Sequence, residues 1–73
     1  MKNEILGVFE NNNCKIGHQM SIGNFIGELG NEFRGDIIYT LREMIEEGLL
    51  EQKPDKHESM FFLTEKGYRE ING

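Results

Sequence analysis

Residues 33–50 carry the pattern that most limits how this chain can fold. Apolar side chains recur there at helical intervals and fall within about a third of a helical wheel: Ile37, Ile38, Leu41, Met44 and Ile45. Gly48 follows at the position where many helices end on a left-handed residue. The helical spacing of apolar residues stops at Leu49 and Leu50, which are adjacent. The segment therefore predicts an amphipathic helix over residues 34–47 that leads directly into a strand.

The opposite side of this helix is polar and is predicted to face outward. Its members are Asp36, Tyr39, Thr40, Glu43, Glu46 and Glu47. An outward face that carries acidic, aromatic and hydroxyl side chains has no single obvious partner. What this face contacts is therefore the functional question for the whole chain.

The size and charge of the chain narrow the classes of function. The 73 residues predict one domain, residues 1–73, with a small core, because a chain this short buries only about 60% of its unfolded surface. It has no room for a cleft between two domains, which argues against an enzyme. The net charge of −5 argues against nucleic acid, because a domain specialised for that partner is usually basic.

Few residues have side chains suited to catalysis or metal binding. Cys14 is the only cysteine, so no internal disulfide is possible, and a reducing cytoplasmic location is expected. Cys14, His18 and His57 match no zinc-binding spacing, and no glycine-rich phosphate loop is present. No apolar run is long enough for a membrane span, and no signal peptide is recognisable. We therefore expect no catalytic residue, metal, cofactor, membrane contact or small-molecule substrate.

The remaining segments predict three more helices and three strands. The helices cover residues 2–10, 22–29 and 65–71. Two strands cover residues 49–53 and 59–63, and residues 15–20 are expected to form only a brief pairing, because that short run contains Gly17. Ser21 and Thr64 are predicted to cap the helices that follow them, and Gly30 is predicted to end the second helix. Residues 54–58 form the predicted hairpin loop, in which Pro54 blocks continued strand pairing.

Two glycines in the second predicted helix have two possible explanations. Gly23 and Gly27 each weaken a helix by about 1 kcal/mol relative to alanine. Their spacing of four residues would allow another backbone to approach closely. Alternatively, they belong to a marginal helix that tertiary packing holds in place.

Two longer stretches resemble the winged helix-turn-helix family. They are Leu-Arg-Glu-Met-Ile-Glu-Glu-Gly-Leu-Leu at residues 41–50 and Phe-Phe-Leu-Thr-Glu-Lys-Gly-Tyr at residues 61–68. The first is similar to the end of a recognition helix that enters the wing, and the second to the returning wing strand and closing helix. The resemblance implies an α+β fold with a three-helix core, a two- to three-stranded antiparallel wing and a short C-terminal helix.

The resemblance also implies a way of binding double-stranded DNA. In DNA-binding members the third helix enters the major groove and the wing lies along the adjacent backbone. Carried onto this chain, the residues implied to face bases are Arg34, Asp36, Tyr39 and Thr40. Those implied to contact the DNA backbone are Arg42, Lys53, Lys56, Lys66 and, when protonated, His57. The predicted function is a small transcriptional regulator.

Apolar residues on both faces of the hairpin raise the possibility of a homodimer. A self-complementary patch is predicted from Leu6, Phe9, Met60 and Phe62. The alternative is that the first and last helices already cover these residues within one chain. A second reading of the function also stays open, in which the winged fold serves as a protein–protein interaction module that does not bind DNA.

Overall fold

A computed structural model describes residues 1–53, 55–57 and 59–72, and these contain four α-helices and three short strands. In chain order they are α1 Lys2–Asn11, β1 Gln19–Ser21, α2 Ile22–Leu29, α3 Arg34–Glu46, β2 Leu50–Glu51, β3 Met60–Leu63 and α4 Glu65–Asn72. A single 3-10 turn, Asn31–Phe33, joins α2 to α3. The chain is therefore an α+β domain with the element order of a winged helix-turn-helix, as predicted.

The three strands form one antiparallel sheet with β3 in the centre. Met20 of β1 pairs with Phe61 of β3, and Leu50 of β2 pairs with Leu63. We use "wing" for β2, β3 and the loop that joins them. The strands of the wing are shorter than predicted, and the role expected of Pro54 in ending β2 lies outside the described residues.

The first strand is brief, as the glycine in residues 15–20 predicted. Gly17 lies in a turn with a φ of +85°. The Gly17 N–H still donates to the carbonyl oxygen of Leu63 at 2.7 Å, and β1 starts only at Gln19. The glycine therefore bends the chain onto the end of β3 rather than extending the strand.

Three phenylalanine rings join the helices to the sheet. Phe9 of α1 lies 5.5 Å from Phe25 of α2, and Phe25 lies 6.4 Å from Phe61 of β3, measured between ring centroids. Tilted and edge-on arrangements at these distances add about 0.5–1.5 kcal/mol per pair beyond the area buried. Ile37, Leu41 and Met44 of α3 complete the same core.

The start of α2 follows its sequence signals closely. The Ser21 hydroxyl accepts the backbone N–H of Asn24 at 3.2 Å, while the Asn24 side chain accepts the Ser21 N–H at 2.9 Å. This reciprocal capping box satisfies two N–H groups that the helix cannot pair internally. No backbone approaches Gly27, since an added Cβ would meet nothing within 4 Å. Close backbone approach is therefore the wrong explanation for Gly27.

The end of α3 confirms the predicted helix stop at Gly48. Gly48 has a φ of +80°, its N–H donates to the Ile45 carbonyl at 3.0 Å, and the Leu49 N–H donates to the Met44 carbonyl at 2.9 Å. This pair of bonds is a Schellman motif, which satisfies carbonyl groups in the last turn. It fixes the angle at which β2 leaves the helix, and so it positions the wing beside α3.

Thr64 connects the start of α4 to the turn between α3 and β2. Its hydroxyl lies 2.6 Å from the Gly48 carbonyl oxygen and 2.9 Å from that of Leu49, and it accepts the Gly67 N–H at 3.0 Å. The predicted capping role of Thr64 is therefore confirmed. Gly67 is required here because a Cβ at this position would overlap the carbonyl oxygen of Leu49.

Candidate nucleic-acid interface

The side of α3 that faces the wing carries alternating arginine and isoleucine residues. Arg34, Ile38, Arg42 and Ile45 recur at spacings of four, four and three residues, which places them along one side of the helix. We call these four residues the arginine stripe. Because the last three line a common groove with residues of the wing, the stripe lies against the wing and not on the opposite side of α3.

This groove has a volume of about 290 Å³ and a mixed lining. Its apolar residues are Ile22, Ile38, Ile45 and Phe61, and its polar residues are Arg42, Gln52, His57 and Ser59. The sequence did not indicate Gln52 or Ser59 as part of a site. The spacing of the arginine stripe was the available signal, but Ile38 and Ile45 were assigned to the buried side.

The buried side of α3 is rotated relative to the prediction. Thr40 is only 7% exposed and lies in the core beside Ile37 and Met44, whereas Ile38 is half-buried at the groove. At about 100° per residue the observed buried side differs from the predicted one by roughly 50°. The expectation that Thr40 faces outward, and so could reach a base, is therefore wrong.

Three acidic residues on or next to α3 lie opposite the arginine stripe, whereas Glu46 follows Arg42 by four residues and lies beside it on the helix surface. At about 100° per residue, Asp36, Glu43 and Glu47 centre roughly 165° away from the stripe. Glu47 also pairs with Lys2 at 3.7 Å between Nζ and Oε1. Tyr39 lies between the two sides and is 65% exposed. The side of α3 opposite the stripe is thus anionic, and the side toward the wing carries two arginines with Glu46 at its edge.

Two of the predicted backbone-contact lysines have other contacts. Lys66 Nζ donates to the carbonyl oxygen of Glu47 at 2.8 Å, at the C-terminal end of α3. That end lies roughly 18 Å along the helix axis from Arg34, so Lys66 and the residue implied to read bases lie at opposite ends of α3. Lys53 Nζ lies 4.7 Å from the centroid of the Phe62 ring, a cation–π contact on the outer face of the sheet.

The remaining cationic candidates are exposed and unpaired within the described part of the chain. Arg34, Arg42 and Lys56 form no ion pair or side-chain hydrogen bond with any described residue. His57 is held in place, since its Nδ1 accepts the Ser59 N–H at 3.1 Å and lies 2.7 Å from the Ser59 hydroxyl. Arg34, Arg42 and Lys56 can therefore contact an external anion without breaking an internal contact.

The residues predicted to form a dimer patch are mostly covered within one chain. Phe9 is 0% exposed and Phe62 is 4% exposed. Leu6 on α1 and Met60 at the start of β3 are half-buried. The burial of the two phenylalanines agrees with the alternative that this chain covers them itself, and a dimer contact stays a prediction for Leu6 and Met60.

Cys14 is a buried thiol with no catalytic setting. It belongs to the core cluster, and burial raises its pKa above the ordinary value, with the nearby charge of Glu28 as a smaller contribution. A raised pKa keeps the thiol protonated and unreactive near neutral pH. Across the described residues no group of three or more His, Cys, Asp or Glu side chains could hold a metal ion.

Comparison with known proteins agrees with the fold. The winged helix DNA-binding domain family matches residues 15–67, which is well over half of the chain and includes α2, α3 and the wing. No significant match was found among curated proteins or among solved structures. None of the helices in the described residues has both the length and the apolar character needed to cross a membrane. From its sequence match and its fold, the chain belongs to the winged helix DNA-binding domain family.

Proposed function

We propose that this chain is a small transcriptional regulator that binds double-stranded DNA through α3 and the wing. The observation that carries the proposal is that Arg34, Arg42 and Lys56 are exposed and form no ion pair with any described residue. The two arginines lie on the side of α3 toward the wing, with Glu46 beside Arg42, and Asp36 and Glu43 lie on the far side. A duplex that approaches from the wing side meets unpaired cations despite the net charge of −5.

Each candidate contact has a distinct role in this proposal. Arg34, at the start of α3, is the residue proposed to read bases, because an arginine fork can bind guanine O6 and N7 together. Arg42 and Lys56 are proposed to contact phosphates that flank the major groove of the DNA. Such contacts position the helix but do not read the base sequence. Tyr39 supplies a hydroxyl that can bond a phosphate.

A single copy presents few cationic contacts, so we propose that the chain acts as a homodimer. The domain measures 29 × 28 × 20 Å, which is less than the spacing of about 34 Å between successive major grooves on one face of DNA. One copy therefore reaches one half-site only. Two copies double the phosphate contacts that supply much of the affinity.

Duplex binding as a function of salt tests the proposal. We expect a fluorescent random-sequence duplex to bind at about 20 mM salt and to dissociate steeply as salt rises, because phosphate contacts release counterions. Arg42→Gln should reduce the slope of log K against log salt by about one for each copy bound. Arg34→Ala should weaken a selected preferred site more than it weakens random sequence.

Arg69→Gln is the matched control. Arg69 lies on α4, where its guanidinium pairs with Glu65 at 3.2 Å, and the change removes one positive charge away from α3 and the wing. It should leave duplex binding close to that of the natural chain. Equal losses from Arg42→Gln and Arg69→Gln would indicate attraction by overall charge only. No duplex binding at low salt would overturn the proposal in favour of a protein-interaction role for the fold.

A further inference from the structure

We propose that the groove between α3 and the wing binds a small organic carboxylate, with the carboxylate on Arg42 and His57 and an apolar body on the isoleucine side chains. The groove is formed by three elements of the fold, because its residues come from α2, α3 and the wing. Its volume of about 290 Å³ lies at the lower end for ligand pockets, so the ligand has about one ring or a short branched chain.

The apolar residues of the groove favour a ligand that has an apolar ring or chain beside its carboxylate. Ile22, Ile38, Ile45 and Phe61 line it. Ile38 is half-buried and is not part of the hydrophobic core, although it lies on the central helix of the domain. A concave surface that exposes isoleucine beside polar groups gains free energy when a ligand removes the apolar area from water.

The polar part of the groove selects for an anion. Arg42 forms no ion pair with any described residue, so its guanidinium is available. A guanidinium donates two parallel hydrogen bonds to one carboxylate. Because the chain as a whole is negative, general attraction of anions is not expected, and any carboxylate that binds must respond to local groups.

His57 supplies the second donor in a fixed orientation. A backbone N–H can only donate, so the hydrogen bond from the Ser59 N–H means that Nδ1 of His57 accepts. The neutral ring then carries its proton on Nε2. Held from one side by Ser59, the imidazole retains one N–H that can donate to a carboxylate in the groove.

The first experiment uses the chain alone and needs no DNA. We expect sodium benzoate, added at constant ionic strength, to cause saturable NMR shifts of the backbone amides of Gln52, Ser59 and Phe61. Benzyl alcohol, which has the same ring without the charge, should bind at least about tenfold more weakly. Acetate, which has the charge without the ring, should also bind more weakly.

Two variants show whether the response comes from the groove. Arg42→Gln should reduce benzoate affinity to that of benzyl alcohol, whereas Arg69→Gln should leave it unchanged. Amide shifts elsewhere in the spectrum of Arg42→Gln report whether the variant is folded. Shifts that do not saturate, equal binding of benzoate and benzyl alcohol, or an unchanged affinity in folded Arg42→Gln would each overturn the proposal.

A regulatory consequence rests on the proposed function, because Arg42 is also the proposed phosphate contact. A carboxylate bound to its guanidinium competes with the DNA, so saturating benzoate should weaken duplex binding at constant ionic strength. Duplex binding unaffected by saturating benzoate would overturn this consequence alone. Benzoate binding to a chain that binds no duplex would overturn the proposed function and leave the carboxylate site supported.

Discussion

At the scale of single residues, three glycines should respond to alanine for three different reasons. Gly67→Ala places a Cβ against the backbone of Leu49, and we expect a loss of about 2–3 kcal/mol in the free energy of unfolding. Gly48→Ala has space but requires a left-handed residue, so a loss of about 1 kcal/mol is expected. Gly27→Ala lies in open space on α2 and should stabilise by up to about 1 kcal/mol. Urea unfolding followed by circular dichroism measures all three, and equal losses would contradict the contacts described.

Cys14 gives a residue-scale prediction about pH. Because burial raises the pKa of its thiol in the folded chain, the unfolded chain loses this proton first as pH rises. The contribution of the thiol to stability is therefore complete below about pH 8.5 and is lost at higher pH. Between about pH 8 and pH 10, the free energy of unfolding of the natural chain should fall relative to that of Cys14→Ala. A difference that stays constant across this range would contradict the assignment.

At the scale of elements, the sequence predicted the helices and their ends better than the side that each helix buries. Ser21, Gly48 and Thr64 act where local chemistry indicated, because a cap depends on its own few residues. The side of α3 that is buried depends on how α1, α2 and the wing pack around it. For that reason Thr40 lies in the core and Ile38 lies at the groove. A helical wheel of α3 alone does not show which side its neighbours will bury.

In the candidate site, too, the sequence predicted individual residues better than their packing. Residue type and position identified Arg34, Arg42, Lys56 and His57, which the structure leaves exposed. Sequence reasoning could not tell that Lys66 caps the end of α3, because its acceptor is a backbone carbonyl 19 residues earlier in the chain. It also could not find the groove, which exists only once α2, α3 and the wing lie together.

At the scale of the whole molecule, net charge is a poor guide to what one face of this domain binds. The thirteen acidic residues outnumber the eight lysines and arginines, yet Asp36 and Glu43 lie on the side of α3 opposite its arginines, and only Glu46 of the acids of α3 lies beside one of them. At physiological salt the field of an exposed charge fades over about 8 Å. A duplex docked on the wing side therefore responds mainly to the cations nearest to it, and distant acids chiefly reduce the rate of encounter.

The dimer is the last prediction at this scale. If two copies associate through half-buried apolar residues, Met60→Glu should halve the mass measured by light scattering, because it places a charge in the contact. Ile16→Glu is the matched control, since Ile16 is exposed and lies before β1. Phe62→Ser is unsuitable, because Phe62 is buried within one chain and its loss would weaken the fold itself. A natural chain with the mass of a single copy at the concentrations that bind DNA would overturn the proposed homodimer.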